Sequence, residues 1–197
     1  MTRRGPAPTT PRLDALEPVA VAAEACAAVA RHRAWIALRL SPALVPADEP
    51  DAAALAVGSD LGLTVQHLTA YAQTGALGDW PDDSCALDAV QDVCSCLYSR
   101  AGDRAGFDAP DLRDDHDPDT DVGTVIRAAM ARQMLSTGTP VPVAWLAALS
   151  SVGAVRMRQL VAAGEVPAVD GRVRAPDARR WLSGRRVPGF DAPSGQS

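Results

Sequence analysis

The stretch that decides the fold is "VAAGEVPAVDGRVRAPDARRWL", residues 161–182. Gly164 follows a run of helix-forming residues, and a glycine in that place commonly ends a helix. Asp170-Gly171 separates two short β-prone segments. A two-residue turn of this composition favours a hairpin, because both residues tolerate positive φ. Pro176 then suits the first turn of a new helix. The stretch therefore predicts a hairpin between two small helices.

Arginine is concentrated on this hairpin and on the helix after it. Alternation along a strand places Arg172 and Arg174 on one face and Val173 on the other, where it can pack on the helices. Two guanidinium groups on a protruding ribbon suit phosphates or a narrow minor groove. Arg179 and Arg180 follow in the next helix, where they are available to backbone phosphates.

The helix before the hairpin has an apolar side and a polar side. Met157 and Leu160 form its inward edge, whereas Arg156 and Gln159 share an outward face that Arg158 flanks. In the major groove, arginine pairs with guanine and glutamine pairs with adenine. This helix is therefore predicted to contact bases.

The longer stretch "WLAALSSVGAVRMRQLVAAGEVPAVDGRVRAPDARRWL", residues 145–182, resembles the winged helix-turn-helix of the MerR-like and excisionase-like DNA-binding families. Leu146-Ala147 matches the first short helix of that pattern, and "GEVPAV" matches its entry to the wing. Pro176-Asp177-Ala178 matches the opening of the helix after the wing. The turn residues Ser151-Val152-Gly153 are permuted from the family's Gly-Val-Ser type. The resemblance implies a unit that binds double-stranded DNA.

A second segment falls into register with this one when the chain is shifted by 89 residues, so that Gly62 lies over Ser151. "GLTVQHLTAYAQTGAL" then matches "SVGAVRMRQLVAAGEV" at its apolar positions, with Gly75 over Gly164. Gly62-Leu63-Thr64 has the order of the family's turn, and Thr64 is a fair N-cap for the helix that follows. The match indicates two tandem copies or a coincidence of alanine-rich helices.

The first copy is acidic where the second copy has its basic wing. The loop "GDWPDDS" carries Asp79, Asp82 and Asp83, which phosphates would repel. Its proline also argues against a clean hairpin. This copy is expected to keep the fold without ordinary DNA contact through its wing. Secondary contacts to DNA or to a partner are predicted at Gln66, His67, Thr69, Trp80 and Asp82.

Charge divides the chain into two unequal parts. The formal net charge is −5, but from residue 127 onward ten arginines stand against four acids. Residues 1–126 hold nine arginines and twenty acids. A basic block on an acidic chain indicates that one part meets a polyanion, while the acidic half can meet a basic protein partner.

The sequence predicts no enzyme, no metal site and no cofactor. His32, His67 and His116 stand in unrelated contexts without a nucleophile or a carboxylate pair at a recognisable spacing. A glycine-rich phosphate loop is also missing. The four cysteines are expected to be small buried thiols. Because neither a long apolar run nor a signal peptide is evident, we expect a cytoplasmic protein, at a bacterial nucleoid or in a phage-infected cell, with no membrane partner.

The expected fold is mainly α, with two tandem winged helix-turn-helix units that each follow a longer helix. The predicted segments are a flexible arm (1–17), a degenerate N-terminal unit (18–99), an acidic linker (100–121), a basic C-terminal unit (122–185) and a disordered tail (186–197). Helices are predicted over about 18–40, 51–61, 65–74, 85–99, 122–136, 143–150, 154–163 and 176–183.

The expected function is DNA binding, as a transcription regulator or an excisionase-like accessory factor. DNA contacts are predicted at Arg156, Arg158, Gln159, Arg172, Arg174, Arg179 and Arg180. A homodimer or the second copy is expected to supply avidity, and Trp35, Ile36 and Leu40 are a candidate dimer surface. The alternative is a protein-interaction adaptor, antitoxin-like or part of a phage packaging machine, that uses the fold mainly as a scaffold.

Overall fold

A computed structural model describes residues 12–40, 51–97 and 120–190, and the side chains of residues 32–40 lie outside this description. The described part is mainly helical with one small antiparallel sheet, so the predicted mainly α class is confirmed. A 3-10 turn, Leu13–Ala15, precedes the first helix. The helices are α1 (Pro18–Leu40), α2 (Ala52–Gly58), α3 (Asp60–Thr74), α4 (Ser84–Leu97), α5 (Asp121–Ser136), α6 (Val143–Leu149), α7 (Ala154–Ala162) and α8 (Ala175–Gly184). The strands are β1 (Val141–Pro142), β2 (Ala168–Val169) and β3 (Arg172–Val173).

Ser59 joins α2 to α3 and caps both of the adjoining helix ends. Its backbone N–H donates to the Leu55 carbonyl at the end of α2, and its Oγ accepts a hydrogen bond from the Gly62 N–H at 3.1 Å. Serine with extended backbone is a preferred N-cap, so α3 begins at Asp60. The predictions that Thr64 caps this helix and that Gly62-Leu63-Thr64 forms a turn are therefore wrong.

Position 62 in α3 requires glycine because the backbone of α2 passes very close to it. A Cβ atom at this position would lie 2.2 Å from the carbonyl oxygen of Ala56. Gln66 completes the junction, since its Nε2 donates to the same Ala56 oxygen at 2.7 Å. The glycine of the sequence pattern thus permits close packing of two helices and does not make a turn.

α5 lies at the centre of the described structure. Ten of its sixteen residues are buried. It packs against α1, α3 and α4 from the N-terminal half and against β1, α6 and α8 from the C-terminal half. The buried side chains of both halves form one cluster, which includes Val65 and Leu68 as well as Leu146 and Leu182. The two halves of the sequence therefore share a hydrophobic core through α5.

The C-terminal half combines the sheet with three short helices. β3 pairs antiparallel with both β1 and β2, which gives the strand order β1-β3-β2. The turn between β2 and β3 is Asp170-Gly171, with φ of 50° and 72°, the positive values that a two-residue hairpin of this kind requires. The sequence does not predict β1, because Pro140 and Pro142 read as helix breakers there. A proline is tolerated in β1 because that strand lies at the edge of the sheet.

The two copies of the predicted repeat agree in burial at several matched positions. Gly75 and Gly164 both end a helix with left-handed φ, 78° and 75°. The pairs buried in both copies are Leu68 and Met157, Tyr71 and Leu160, Ala86 and Ala175, Ala89 and Ala178, and Val93 and Leu182. The copies differ where α3 and α7 begin, and residues 75–83 contain no strand at the place of the hairpin.

The described residues at both ends of the chain contact the rest of the protein. Leu13 is buried, and Gln73 Nε2 donates to its carbonyl at 2.9 Å. At the other end, the guanidinium carbon of Arg132 lies 4.9 Å from the ring centroid of Phe190. Residues 12–17 and 186–190 thus make defined contacts with the rest of the described structure, and the flexible arm and the disordered tail stay predictions.

Several predicted features fall outside the described residues. Most of the acidic linker does so, but Thr120 Oγ1 accepts from the Gly123 N–H at 3.0 Å and caps α5, and Asp121 already belongs to that helix. The candidate dimer residues lie on the backbone of α1, and their side chains are not described: Trp35, Ile36 and Leu40. The dimer surface stays a prediction.

Candidate nucleic-acid interface

α7 presents most of its polar side chains to solvent. It begins after Gly153 and ends before Gly164. Met157 and Leu160 are buried, as the helical spacing predicts, and α6 is the main packing partner of α7. The exposed residues of its outer side are Val155, Arg156, Arg158 and Gln159. The three predicted DNA contacts of α7 therefore lie together on one accessible helix.

The internal contacts of these side chains are long. Arg156 Nη1 donates to Gln159 Oε1 at 3.4 Å, and Arg158 Nε donates to the Ala154 carbonyl at 3.4 Å. Hydrogen bonds of this length are near the limit at which they contribute. Because the groups are exposed as well, exchanging these contacts for external ones costs little, and all three side chains are available to a ligand.

Val155 belongs to the same surface and is missed by the sequence analysis. Its side chain is 64% exposed on the first turn of α7. An apolar side chain at the start of a helix in the major groove can contact the methyl group of thymine. Its helical position could have identified it, because a residue two positions before the inward Met157 points to a different side of the helix.

The hairpin arginines differ in how firmly they are held. Val173 is fully buried, whereas Arg172 and Arg174 are exposed, as strand alternation predicts. Arg172 Nη1 donates to the Pro140 carbonyl at 3.3 Å. Arg174 Nε lies 2.9 Å from Asp177 Oδ2, so its charge is partly neutralised. Such exposed ion pairs contribute at most about 1 kcal/mol, which leaves Arg174 able to exchange partners.

The two arginines of α8 face a different part of the molecule. Arg179 Nη2 donates to the carbonyls of Leu135 and Ser136, which end α5. Arg180 Nη1 lies 3.8 Å from Asp177 Oδ1. A cation at a helix C-terminus satisfies free carbonyls and the helix dipole. Arg179 thus has a structural role that the sequence does not predict.

The secondary contacts predicted in the first copy are mostly engaged within the protein. Thr69 is fully buried and its Oγ1 donates to the Val65 carbonyl at 2.7 Å, so the prediction that it reaches DNA or a partner is wrong. The amide of Gln66 is occupied by Ala56. Burial and an internal hydrogen bond thus remove both polar groups from an external surface.

The loop before α4 is held by similar internal contacts. Trp80 is half-buried, with its ring centroid 5.8 Å from that of Tyr71 and 6.2 Å from that of His67. Asp82 Oδ1 accepts hydrogen bonds from the Ser84 hydroxyl and, at 2.7 Å, from the Ser84 N–H at the start of α4, and these two hydrogen bonds lower the pKa of Asp82. His67 itself is exposed. Of the five secondary residues, His67 is the one best placed for an external contact.

A cleft of about 680 Å³ opens where the end of α3 meets α5, α8 and the chain after α8. Two of the predicted DNA contacts, Arg179 and Arg180, line this cleft. Other residues that line it are Tyr71, Asp83, Arg132 and Phe190. Tyr71 OH donates to Asp83 Oδ1 at 2.8 Å, and burial raises the pKa of Tyr71.

Arg132 is a buried cation that the sequence analysis misses. It is 5% exposed, and its Nε donates to the Ala72 carbonyl at 2.8 Å. Its Nη2 donates to the carbonyls of Gln73 and Pro188 at 2.9 and 2.8 Å. Burial lowers the pKa of Arg132 to about 10, which leaves it charged at neutral pH. Its position in an alanine-rich helix gives no sign of this burial.

The described residues contain no group of three or more histidine, cysteine or acidic side chains that could hold a metal ion. The four cysteines are free thiols. Cys26 and Cys94 are buried, and burial raises the pKa of Cys94 to about 11, but Cys96 is exposed, contrary to expectation. Within the described ranges, no helix is long and apolar enough to cross a membrane.

Comparison with known proteins assigns no family to this chain. No family model, curated protein or solved structure matches it. The exposed polar side of α7, the basic hairpin and the cleft are therefore the features from which function must be inferred.

Proposed function

We propose that this protein binds double-stranded DNA through its C-terminal half, in which α6, α7 and the β2–β3 hairpin act as a winged helix-turn-helix. α6 and α7 are short helices joined by a turn over residues 150–153, where Ser151 has φ of 53°. In such a motif the second helix lies in the major groove. α7 is that helix in this proposal, and the hairpin contacts the neighbouring backbone.

One observation carries the proposal. α7 buries a narrow apolar edge and leaves Arg156, Arg158 and Gln159 exposed and weakly held. These are the side-chain types that read guanine and adenine or contact phosphates. Arg172 adds an exposed cation on the hairpin that follows. No hydrogen bond or ion pair joins Arg172 to α7 in the described residues, so each group is tested separately.

The biological role in this proposal is that of a transcription regulator or an excisionase-like accessory factor. A single small unit binds DNA weakly, and a homodimer raises its avidity. The acidic N-terminal half supports α5 and thereby the C-terminal helices, since α5 packs against α3 and α4 as well as α6.

The test is a fluorescence-anisotropy titration of the full chain against a labelled random duplex at two salt concentrations, about 50 and 200 mM. The full chain is needed because α5 shares its core with the N-terminal half. We expect a steep fall in affinity with salt, with a slope of about −0.9 for each phosphate contact. Arg172→Ala is expected to reduce that slope by about one.

A base contact is tested on a duplex selected from a random pool. Arg156→Ala is expected to weaken binding by about 1–3 kcal/mol and to relax sequence preference. The matched control is Arg31→Ala, which removes an exposed arginine of α1. Binding that is absent at low salt, or that responds equally to the control, contradicts the proposal. Capture of a protein partner that depends on Trp80, together with no DNA binding, would favour the adaptor.

A further inference from the structure

The cleft between α3, α5 and α8 carries an excess of positive charge. Among the described residues, three guanidinium groups line it, those of Arg132, Arg179 and Arg180, and Asp83 is the one carboxylate in its lining. Asp83 is also occupied, since its Oδ1 accepts the hydroxyl hydrogen of Tyr71 at 2.8 Å. Asp177 also lies 3.8 Å from Arg180. The three arginines therefore exceed the two nearby carboxylates by one charge, a balance that favours an anionic occupant.

Arg132 supplies a buried hydrogen-bond donor at the wall of this cleft. Its Nε and Nη2 atoms are satisfied by backbone carbonyls, but Nη1 has no hydrogen-bond partner in the described part of the chain. Nη1 lies 2.8 Å from where a Cβ of Gly75 would be and 2.9 Å from where a Cβ of Gly189 would be. Both glycines line the cleft, and both have positive φ.

A buried guanidinium without a carboxylate partner is costly unless its donors are satisfied. No salt bridge joins Arg132 to an acid among the described residues. Gly75 and Gly189 line the cleft beside Nη1, and neither has a side chain that would cover it. An oxyanion in the cleft would satisfy this donor and neutralise the charge at the same time.

We propose that this cleft binds the phosphate group of a small molecule. Arg132 lies at the base and donates through Nη1, and Arg180 lies at the rim, where its side chain is 82% exposed. The volume of about 680 Å³ is that of a small-molecule site. The ring of Phe190, which stacks on Arg132, supplies an apolar wall for an aromatic or aliphatic part of the ligand.

The occupant is a small molecule and not the backbone of duplex DNA. Arg132 is 5% exposed, and a rigid duplex cannot enter a cleft of this size to reach it. The walls of the cleft come from both halves of the chain, at the end of α3 and on α5 and α8. A ligand bound there therefore stabilises the folded protein by mass action.

The test is isothermal titration calorimetry of the full chain with phenyl phosphate and, separately, with inorganic phosphate. Arg180→Ala is expected to weaken phenyl phosphate binding about tenfold, the effect of one charge-assisted hydrogen bond. The matched control is Arg185→Ala, whose guanidinium carbon lies 5.1 Å from the Trp181 ring centroid and does not line the cleft. Asp83→Asn is expected to tighten binding, because it removes a repulsive charge and retains an acceptor for Tyr71.

Saturable binding that Arg180→Ala weakens and Arg185→Ala leaves unchanged supports the site. No binding of either probe at about 10 mM, or equal weakening by both variants, overturns it. Displacement of phenyl phosphate by stoichiometric duplex DNA would overturn the assignment to a small molecule. Arg156→Ala is expected to leave phenyl phosphate binding unchanged, so this proposal and the DNA-binding proposal can fail independently.

Discussion

The junction of α2 and α3 allows one packing prediction to be worked out in detail. Gly62→Ala places a methyl group 2.2 Å from the Ala56 carbonyl oxygen, which is backbone and cannot swing aside. An ordinary carbon–oxygen contact is about 3.3 Å or longer. One of the two helices must therefore move by about 1 Å, and the hydrogen bond from Gln66 to the same oxygen moves with it.

The expected cost follows from two opposing effects. Overpacking in a closely packed core costs about 1–3 kcal/mol. Replacing glycine by alanine inside a helix returns up to about 1 kcal/mol. We therefore expect Gly62→Ala to lower the free energy of unfolding by about 1 kcal/mol, which for a chain of this length lowers Tm by about 2–4 °C.

The assay is thermal and urea unfolding followed by circular dichroism, with Gly58→Ala as the control. Gly58 ends α2, and a Cβ there meets no atom within 4 Å, so we expect unchanged or slightly raised stability. If both variants unfold at the same temperature, α3 does not pack on α2 as described. In that case the turn at residues 62–64 would again be the better interpretation.

Two further predictions concern buried charge. Arg132→Met removes three hydrogen bonds to backbone carbonyls and is expected to lower the free energy of unfolding, measured by urea titration, by about 3 kcal/mol. The control Arg185→Met should have little effect. Equal shifts for the two variants would show that Arg132 does not join α5 to the end of α3 and to the chain after α8. Burial and the nearby Asp121 raise the pKa of Glu24, so the wild-type protein loses stability relative to Glu24→Gln as pH rises above the ordinary glutamate pKa. At pH 7 the Tm of Glu24→Gln should exceed that of wild type, by a shift that corresponds to less than about 1 kcal/mol in the free energy of unfolding. This difference in Tm should vanish near about pH 4. A difference that persists at acid pH would show that the charge of Glu24 is not its cause.

The sequence predicts most helix bounds well because local signals decide them. α1 has its predicted limits, and the glycines at 75 and 164 end α3 and α7 as expected. The start of α3 is different, because Ser59 and Thr64 are both acceptable N-caps. α3 begins at Asp60, earlier than predicted, and this start goes with the close contact between Gly62 and Ala56. The sequence around Gly62 contains no pattern that predicts such a contact.

The sequence predicts which side chains of the candidate interface are exposed, because local patterns also decide this. Helical spacing separates the buried Met157 from its exposed neighbour Arg156, and strand alternation separates Val173 from Arg172. Contacts between distant segments cannot be predicted in this way. Arg132 reaches carbonyls about 60 residues earlier and later in the chain, and periodicity carries no information about such partners.

α5 has a consequence for how this protein can be divided or recombined. Most of α5 is buried by elements from both halves of the sequence. Expressing either half alone would therefore expose an apolar surface to solvent. A backbone cut between positions 97 and 120 would leave one fragment with α1–α4 and one with α5–α8, and α5 would carry the apolar face that packs against the first fragment. We expect the two fragments to reassociate when they are mixed, so the two halves could also function as separately encoded chains.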